Sequence, residues 1–355
     1  MNTEELLQKI RDENLGVYGS SASRLQEDVS NEAEIAHDYQ GRLVYELLQN
    51  ADDAMAGADS ADDQIIIKVT DDELWVGNSG RPLSEADVRG LCGIGASSKR
   101  STGEKRRASI GHKGMGFKSV LEFTDTPEVY SLTHSMVMDA ARAASPIRDL
   151  FRKLQRELPE QFPVMRLPWP VESLPDYWHD VQGNRIQTLF RFPFGTKVDS
   201  KKRGILIQAL LDLPVTTVLF LKHLEKVEIE IATSDVQERH SWELQRDHWV
   251  AGGWTPSDGL HASGLYRVWI STGGGDTWSF LLCHNEDIPI GVHREGLNDH
   301  FWAGVDLTEI SIAVLELGEE TDTLPTHWRH FHLFLPTCEP CPYGFLVNGA
   351  FTTDI

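Results

Sequence analysis

Two rhythms of apolar and polar positions run along this chain. Residues 3–13 and 22–57 carry apolar side chains three and four apart, the period of a helix with one buried face. The stretch 38–56 is the clearest, with Tyr39, Leu43, Leu47, Ala51 and Ala54 on one side, and Gly57 with the Asp/Ser run behind it ends the helix. QIIIKV and ELWVG flank Asp71 and Asp72, two apolar runs around an acidic turn, which predicts a β-hairpin. LSEADVRGLC (83–92) reads as a helix with Ser84 as N-cap and Asp87 three residues on. PEVYSL and NRIQTLFRFPF read as strands on either side of a helical region at 138–157, and the proline-rich LPWPVESLP (167–175) as a surface excursion.

From position 201 the rhythm changes. ILIQALLDLPVTTVLFLKHL reads as a strongly apolar helix, and KVEIEIAT, SWELQRDHWV, LYRVWIS and TWSFLLCHN follow as alternating strands. The expectation is two units, 1–200 and 201–355, the second mostly β with some helix. GFLVNGAFTTDI still reads as strand, which leads us to expect a chain that continues past Ile355.

Residues 93–116 fit neither rhythm. With Gly90 at the preceding helix end, they supply seven glycines around the basic run SSKRSTGEKRR. We expect a glycine-hinged, positively charged loop, followed by a helix from Phe117.

Composition narrows the function classes. Net charge is −21 over 355 residues. That balance argues against a chain that coats nucleic acid, although a local basic patch remains compatible with it. Cys92, Cys283, Cys338 and Cys341 do not make a disulfide framework, the N-terminus has no signal-peptide pattern, and no apolar run reaches membrane length. A cytoplasmic protein is expected. Cys338-Glu-Pro-Cys341 has zinc-like spacing without a second pair, so no zinc site is assigned, and Cys92 reads as a small buried residue. His327, His330 and His332 are expected on the surface of a strand or helix.

Three elements carry candidate chemistry. Glu46, Asn50 and Asp53 stand at i, i+4 and i+7, within a stripe about 60° wide at the edge of an apolar face. Asn50 offers a hard oxygen for Mg²⁺, which takes few protein ligands. Glu46, one turn earlier, could accept a proton from an attacking water or orient it. The same spacing also fits an amphipathic helix with a solvated acidic edge. In WVGNSGRP, an apolar strand runs into Asn78, Ser79 and Gly80; Asn78 could bond a purine edge, or the segment is a plain turn. In SIGHKGMGFKSVL, Gly111, Gly114 and Gly116 precede the helix expected from Phe117, an arrangement that suits polyphosphate. It is not a P-loop, because Phe117 intervenes before Lys118-Ser119, and it does not complete a dinucleotide GxGxxG.

In this order, DYQGRLVYELLQNADDA, NSGRP, RPLSEADVRGLCGIGASSKR and IGHKGMGFKSVLEF resemble the Bergerat ATP-binding fold of the GHKL ATPases, with wording closest to the sacsin-like branch. The resemblance is strong over residues 35–130, looser to 195, and returns in LFLKHLEKVEIEI and FLPTCEPCPYGFLVNGAF. It implies an α/β (α+β two-layer) fold: a mixed, mainly antiparallel sheet with one face covered by helices, followed by a second α/β domain. It implies ATP and Mg²⁺ as cofactors. Glu46 would activate water, Asn50 would ligate Mg²⁺, and Asp53 would support the nucleotide. Asn78 stands where most members place an Asp that binds adenine, with Gly80 beside it, and Thr188 resembles a late-strand Thr near adenine. Gly111, His112, Lys113, Gly114, Met115, Gly116 and Phe117 would lie around the phosphates, with Ser97, Ser98 and Lys99 in a lid at about 93–116. A second-domain Lys or Arg would reach the γ-phosphate, Lys222 and Lys226 being candidates by region. The implied activity is slow Mg²⁺-dependent ATP hydrolysis driving lid closure and a conformational or dimerisation switch, chaperone-like or regulating a partner, with a bacterial defence system as one setting. The alternatives are a non-hydrolysing nucleotide sensor, or DNA remodelling, which the −21 charge disfavours.

Overall fold

A computed structural model describes residues 2–38, 42–56, 63–93, 116–289, 307–316 and 324–349. The fold is mixed α/β, built on one large, mainly antiparallel sheet.

Three helices come first: α1 (Thr3–Ser20), α2 (Ala22–Asp38) and α3 (Leu43–Met55). The expected helix over 22–57 is thus two, with Arg42 at the N-cap position of the second, where its side chain makes no capping bond. α1 runs well past residue 13, because Tyr18 is wholly buried and donates to Asp28 of α2 at 2.9 Å, a tertiary tie that outlasts the local pattern. The hairpin β1 (Gln64–Thr70) and β2 (Glu73–Asn78) forms as its alternation predicts. In α4 (Glu85–Cys92), Ser84 and Asp87 complete the capping box.

The helix expected from Phe117 is a seven-residue 3₁₀ helix, Gly116–Glu122. β3 (Glu128–Ser131), β4 (Met136–Met138), α5 (Ala140–Lys153), β5 (Pro168–Pro170), α6 (Asp176–Gln182) and β6 (Thr188–Pro193) follow. LPWPVESLP is therefore not just a surface excursion. Its prolines form the outermost strand, where a missing N–H leaves no ladder bond unmade on the solvent side.

α7 (Ser200–Leu211) stops short of Pro214, which cannot continue a helix, and the chain turns through a short 3₁₀ helix, Val215–Val218. The strands β7 (Lys226–Ala232), β8 (Gln237–Val250), β9 (Gly253–Ser257), β10 (Gly264–Thr272), β11 (Thr277–Pro289), β12 (Leu307–Leu315), β13 (His330–Leu333), β14 (Leu335–Pro340) and β15 (Leu346–Gly349) complete the sheet. β1 pairs parallel with β7, so the sheet runs unbroken past position 200.

The register explains the uninterrupted apolar run of β1. Ile65, Ile67 and Val69 face a core that takes in Leu47, Leu48, Ala51 and Met55 of α3, while Ile66 faces a second cluster with Trp75, Trp178 and Val181. Helices were expected on one face only; α6 closes the other. His332 is not a surface residue. It is fully buried with its ring edge on Phe220, and burial pushes its pKa down to about 4. Cys92 is buried as expected.

Candidate functional site

Helix α3 is the wall of the candidate site. Its apolar stripe is buried, whereas Glu46, Asn50 and Asp53 are half-buried, at the border of core and solvent. The turn after β2 is bound to the end of this helix. Arg81 donates its backbone N–H to the Ala54 carbonyl at 2.8 Å, satisfying one of the carbonyls a helix end leaves open. At Gly80 an added Cβ would stand 2.5 Å from the Ala54 carbonyl carbon, so only glycine allows this approach.

Asn78 is the last residue of β2 and is 4% exposed. Its Oδ1 accepts from the Gly80 N–H at 3.2 Å, closing an Asx turn. One lone pair of that oxygen is thereby used within the turn, and the amide group remains as donor. Ser79 ties the turn to β1: Gln64 donates its N–H to Ser79 Oγ at 2.9 Å. Directly across the ladder from Asn78 lies Thr188, the first residue of β6, and across from Thr188 lies Ser131 of β3. Thr188 Oγ1 donates to Ser131 Oγ at 3.3 Å, and Ser131 Oγ accepts from the Leu83 N–H at 3.0 Å. Three buried polar side chains thus form a row across three strand ends beside α3.

Two further contacts fix the frame. Arg81 and Asp87 form a two-armed ion pair, with Nη2 to Oδ1 at 3.0 Å. Burial opposes ionisation of Asp87, but Arg81 and Ser84 outweigh it and hold the carboxyl down at about 2. Phe117 packs its ring 5.2 Å from Phe190 and 6.2 Å from Phe192 on β6, setting the 3₁₀ helix that starts at Gly116 against α3.

The Asn78–Gly80 turn, with Thr188 across the ladder from Asn78, and the 3₁₀ helix that starts at Gly116 thus both pack against α3, the helix that carries Glu46, Asn50 and Asp53. Ser97, Ser98, Lys99, Gly111, His112, Lys113, Gly114 and Met115 lie outside the described residues. Of the two lysines named by region, Lys222 pairs with Glu309 at 2.5 Å and Lys226 with Glu228 at 2.6 Å.

Sequence reasoning missed Asp52. Its carboxylate, 1% exposed, accepts the backbone N–H groups of Lys222 (3.1 Å), His223 (2.8 Å) and Leu224 (2.9 Å). The carbonyls of Leu221 and Leu224 in the same loop accept from buried Arg246 at 3.1 and 3.0 Å. The helix of the candidate site is thereby joined to the strands beyond position 200. The signal was present in the spacing: Asp52 falls with Leu48 and Met55 on the apolar stripe, one charge where only apolar groups belong.

A model of the sacsin domain matches residues 29–243, from α2 through the candidate site and into β8. The chain belongs to the sacsin domain family. Among curated proteins, human sacsin is 29% identical over 55% of this chain and 5% of its own length. The protein NO VEIN of Arabidopsis thaliana is 33% identical over 25% of this chain and 3% of its own. The chain thus spans about a twentieth or less of these relatives. In this sacsin domain no described helix is long and apolar enough to cross a membrane.

Proposed function

We propose that this sacsin domain binds ATP with Mg²⁺ in the Bergerat manner and hydrolyses it slowly, the cycle of binding and hydrolysis driving a conformational or dimerisation switch. The observation that carries this reading is the row of Asn78, Thr188 and Ser131 at strand ends, held by Gly80 against a helix whose half-buried edge bears Glu46, Asn50 and Asp53. A purine would sit at the row, where hydroxyl and amide groups answer its edge atoms. Asn50 would give Mg²⁺ one oxygen, the remaining positions going to water and phosphate. Glu46 would take a proton from the attacking water. Mg²⁺ would supply charge neutralisation for the leaving phosphate. Lid closure over the phosphates belongs to the same proposal and would involve residues 93–116.

The test is Glu46→Ala in the full chain. Turnover should fall by about 10²-fold or more, the usual contribution of a positioned base, while ATP affinity stays within a few-fold of the parent. Equal turnover in parent and variant would remove Glu46 from the mechanism. A parent that binds ATP and never hydrolyses it would make the domain a nucleotide sensor.

A further inference from the structure

Lys118 stands two residues into the 3₁₀ helix that begins at Gly116, yet it is 1% exposed. Its ammonium turns inward and donates to the carbonyl of Gly93, the C-cap of α4. The neighbouring carbonyl, that of Cys92, accepts from Arg166 Nη1 at 3.0 Å. A buried ammonium and a partly buried guanidinium therefore cover the carbonyl end of α4, where the helix dipole is negative. Behind them sit two carboxylates of α2. Asp28 accepts from Arg166 Nε at 2.8 Å and from the Tyr18 hydroxyl at 2.9 Å, with Arg24 Nε 3.4 Å away on its outer side. Glu32 accepts the backbone N–H groups of Val164 at 2.7 Å and Met165 at 2.9 Å, one on each oxygen.

No packing requirement calls for a lysine here, since a methionine would fill the same volume without desolvating a charge. What the ammonium adds is a directed bond. It ties Gly93, the C-cap of α4, to the helix that begins at Gly116.

We infer that Lys118 is a positioning residue for the candidate nucleotide site: its bond to the Gly93 carbonyl fixes the first turn of the 116–122 helix against the end of α4, and the charge balance of the buried cluster it shares with Glu32 makes nucleotide affinity dependent on pH. The inference rests on the ATP-binding reading above. Burial pushes the Glu32 carboxyl up to about 7 and the Lys118 ammonium down to about 8, each charge partly restoring the other. The other groups facing the pair are Asp28, Arg166 and the Cys92 thiol; burial pushes the thiol up to about 12, so it stays neutral, as does Tyr18, whose pKa is raised. Below about pH 7, a proton on Glu32 leaves the cations in excess; above about pH 8, loss of the Lys118 proton leaves the carboxylates in excess. Both partners are charged mainly between those values.

The experiment is titration of the full chain with MgADP from pH 6 to 9, for the parent, Lys118→Met and Glu32→Gln. The parent's affinity should peak near pH 7.5 and fall on both sides. Lys118→Met should bind roughly tenfold to a hundredfold more weakly, the cost of a displaced site, and lose the alkaline limb. Glu32→Gln, nearly isosteric, should lose the acid limb, and it decides the matter if Lys118→Met does not fold. A parent that binds with the same pH profile as both folded variants overturns the positioning role and leaves the nucleotide reading intact. A parent that does not bind at all fails the nucleotide reading itself.

Discussion

Three backbone N–H groups of one loop turn toward the Asp52 carboxylate, and this single residue shows how the site is anchored. A carboxylate so deep is tolerable because each oxygen is bonded and Arg246 lies behind the same loop. Asp52→Ala would leave three buried donors without their acceptor. It should cost about 3 kcal/mol of unfolding free energy, read as a lower urea midpoint with an unchanged slope. An unchanged midpoint would show that the loop does not depend on the helix. At this scale the sequence placed Glu46, Asn50 and Asp53 at the edge of the apolar face of α3, where they lie half-buried, because their spacing is a local property. It gave no notice of Ser131, Glu32 or the inward turn of Lys118, because their partners lie on other elements, such as Val164 for Glu32 or Gly93 for Lys118.

At the scale of elements, what was legible is what is written locally. The β1–β2 hairpin follows from its alternation, and α4 from its capping box. The errors fall where tertiary contacts decide: α1 is prolonged by the Tyr18–Asp28 bond, and two prolines serve as an edge strand in β5 because the far side needs no ladder. The junction between α3 and the Asn78 turn depends on one absent side chain. Gly80→Ala would bring a Cβ to 2.5 Å from the Ala54 carbonyl carbon, and backbone cannot swing aside as a flexible side chain does. The substitution should lower stability by about 1–3 kcal/mol, the usual cost of overpacking, and weaken nucleotide binding along with it. Thermal melts and binding measured on the same preparation check both; unchanged affinity would mean that the turn does not form the base of the site.

For the whole molecule, the sheet carries the site's neighbours across position 200. β1 pairs with β7, α3 is bonded to the loop before β7, and one hydrophobic core includes residues from both halves, such as Leu47 and Val268. A change at α3 therefore has a direct mechanical route into the second half of the sheet, which suits the conformational switch proposed above. The sacsin-domain match spans the same junction. The central claim is that the α3 edge and the strand-end row hold a magnesium nucleotide. Calorimetric titration of the full chain with ATP, ADP and GTP, each with and without Mg²⁺, tests it most directly. Saturable one-to-one binding of ATP and ADP, weaker without Mg²⁺ and weaker for GTP, is the predicted result. No heat from any nucleotide in the presence of Mg²⁺, from protein that is folded by its melt, would contradict it.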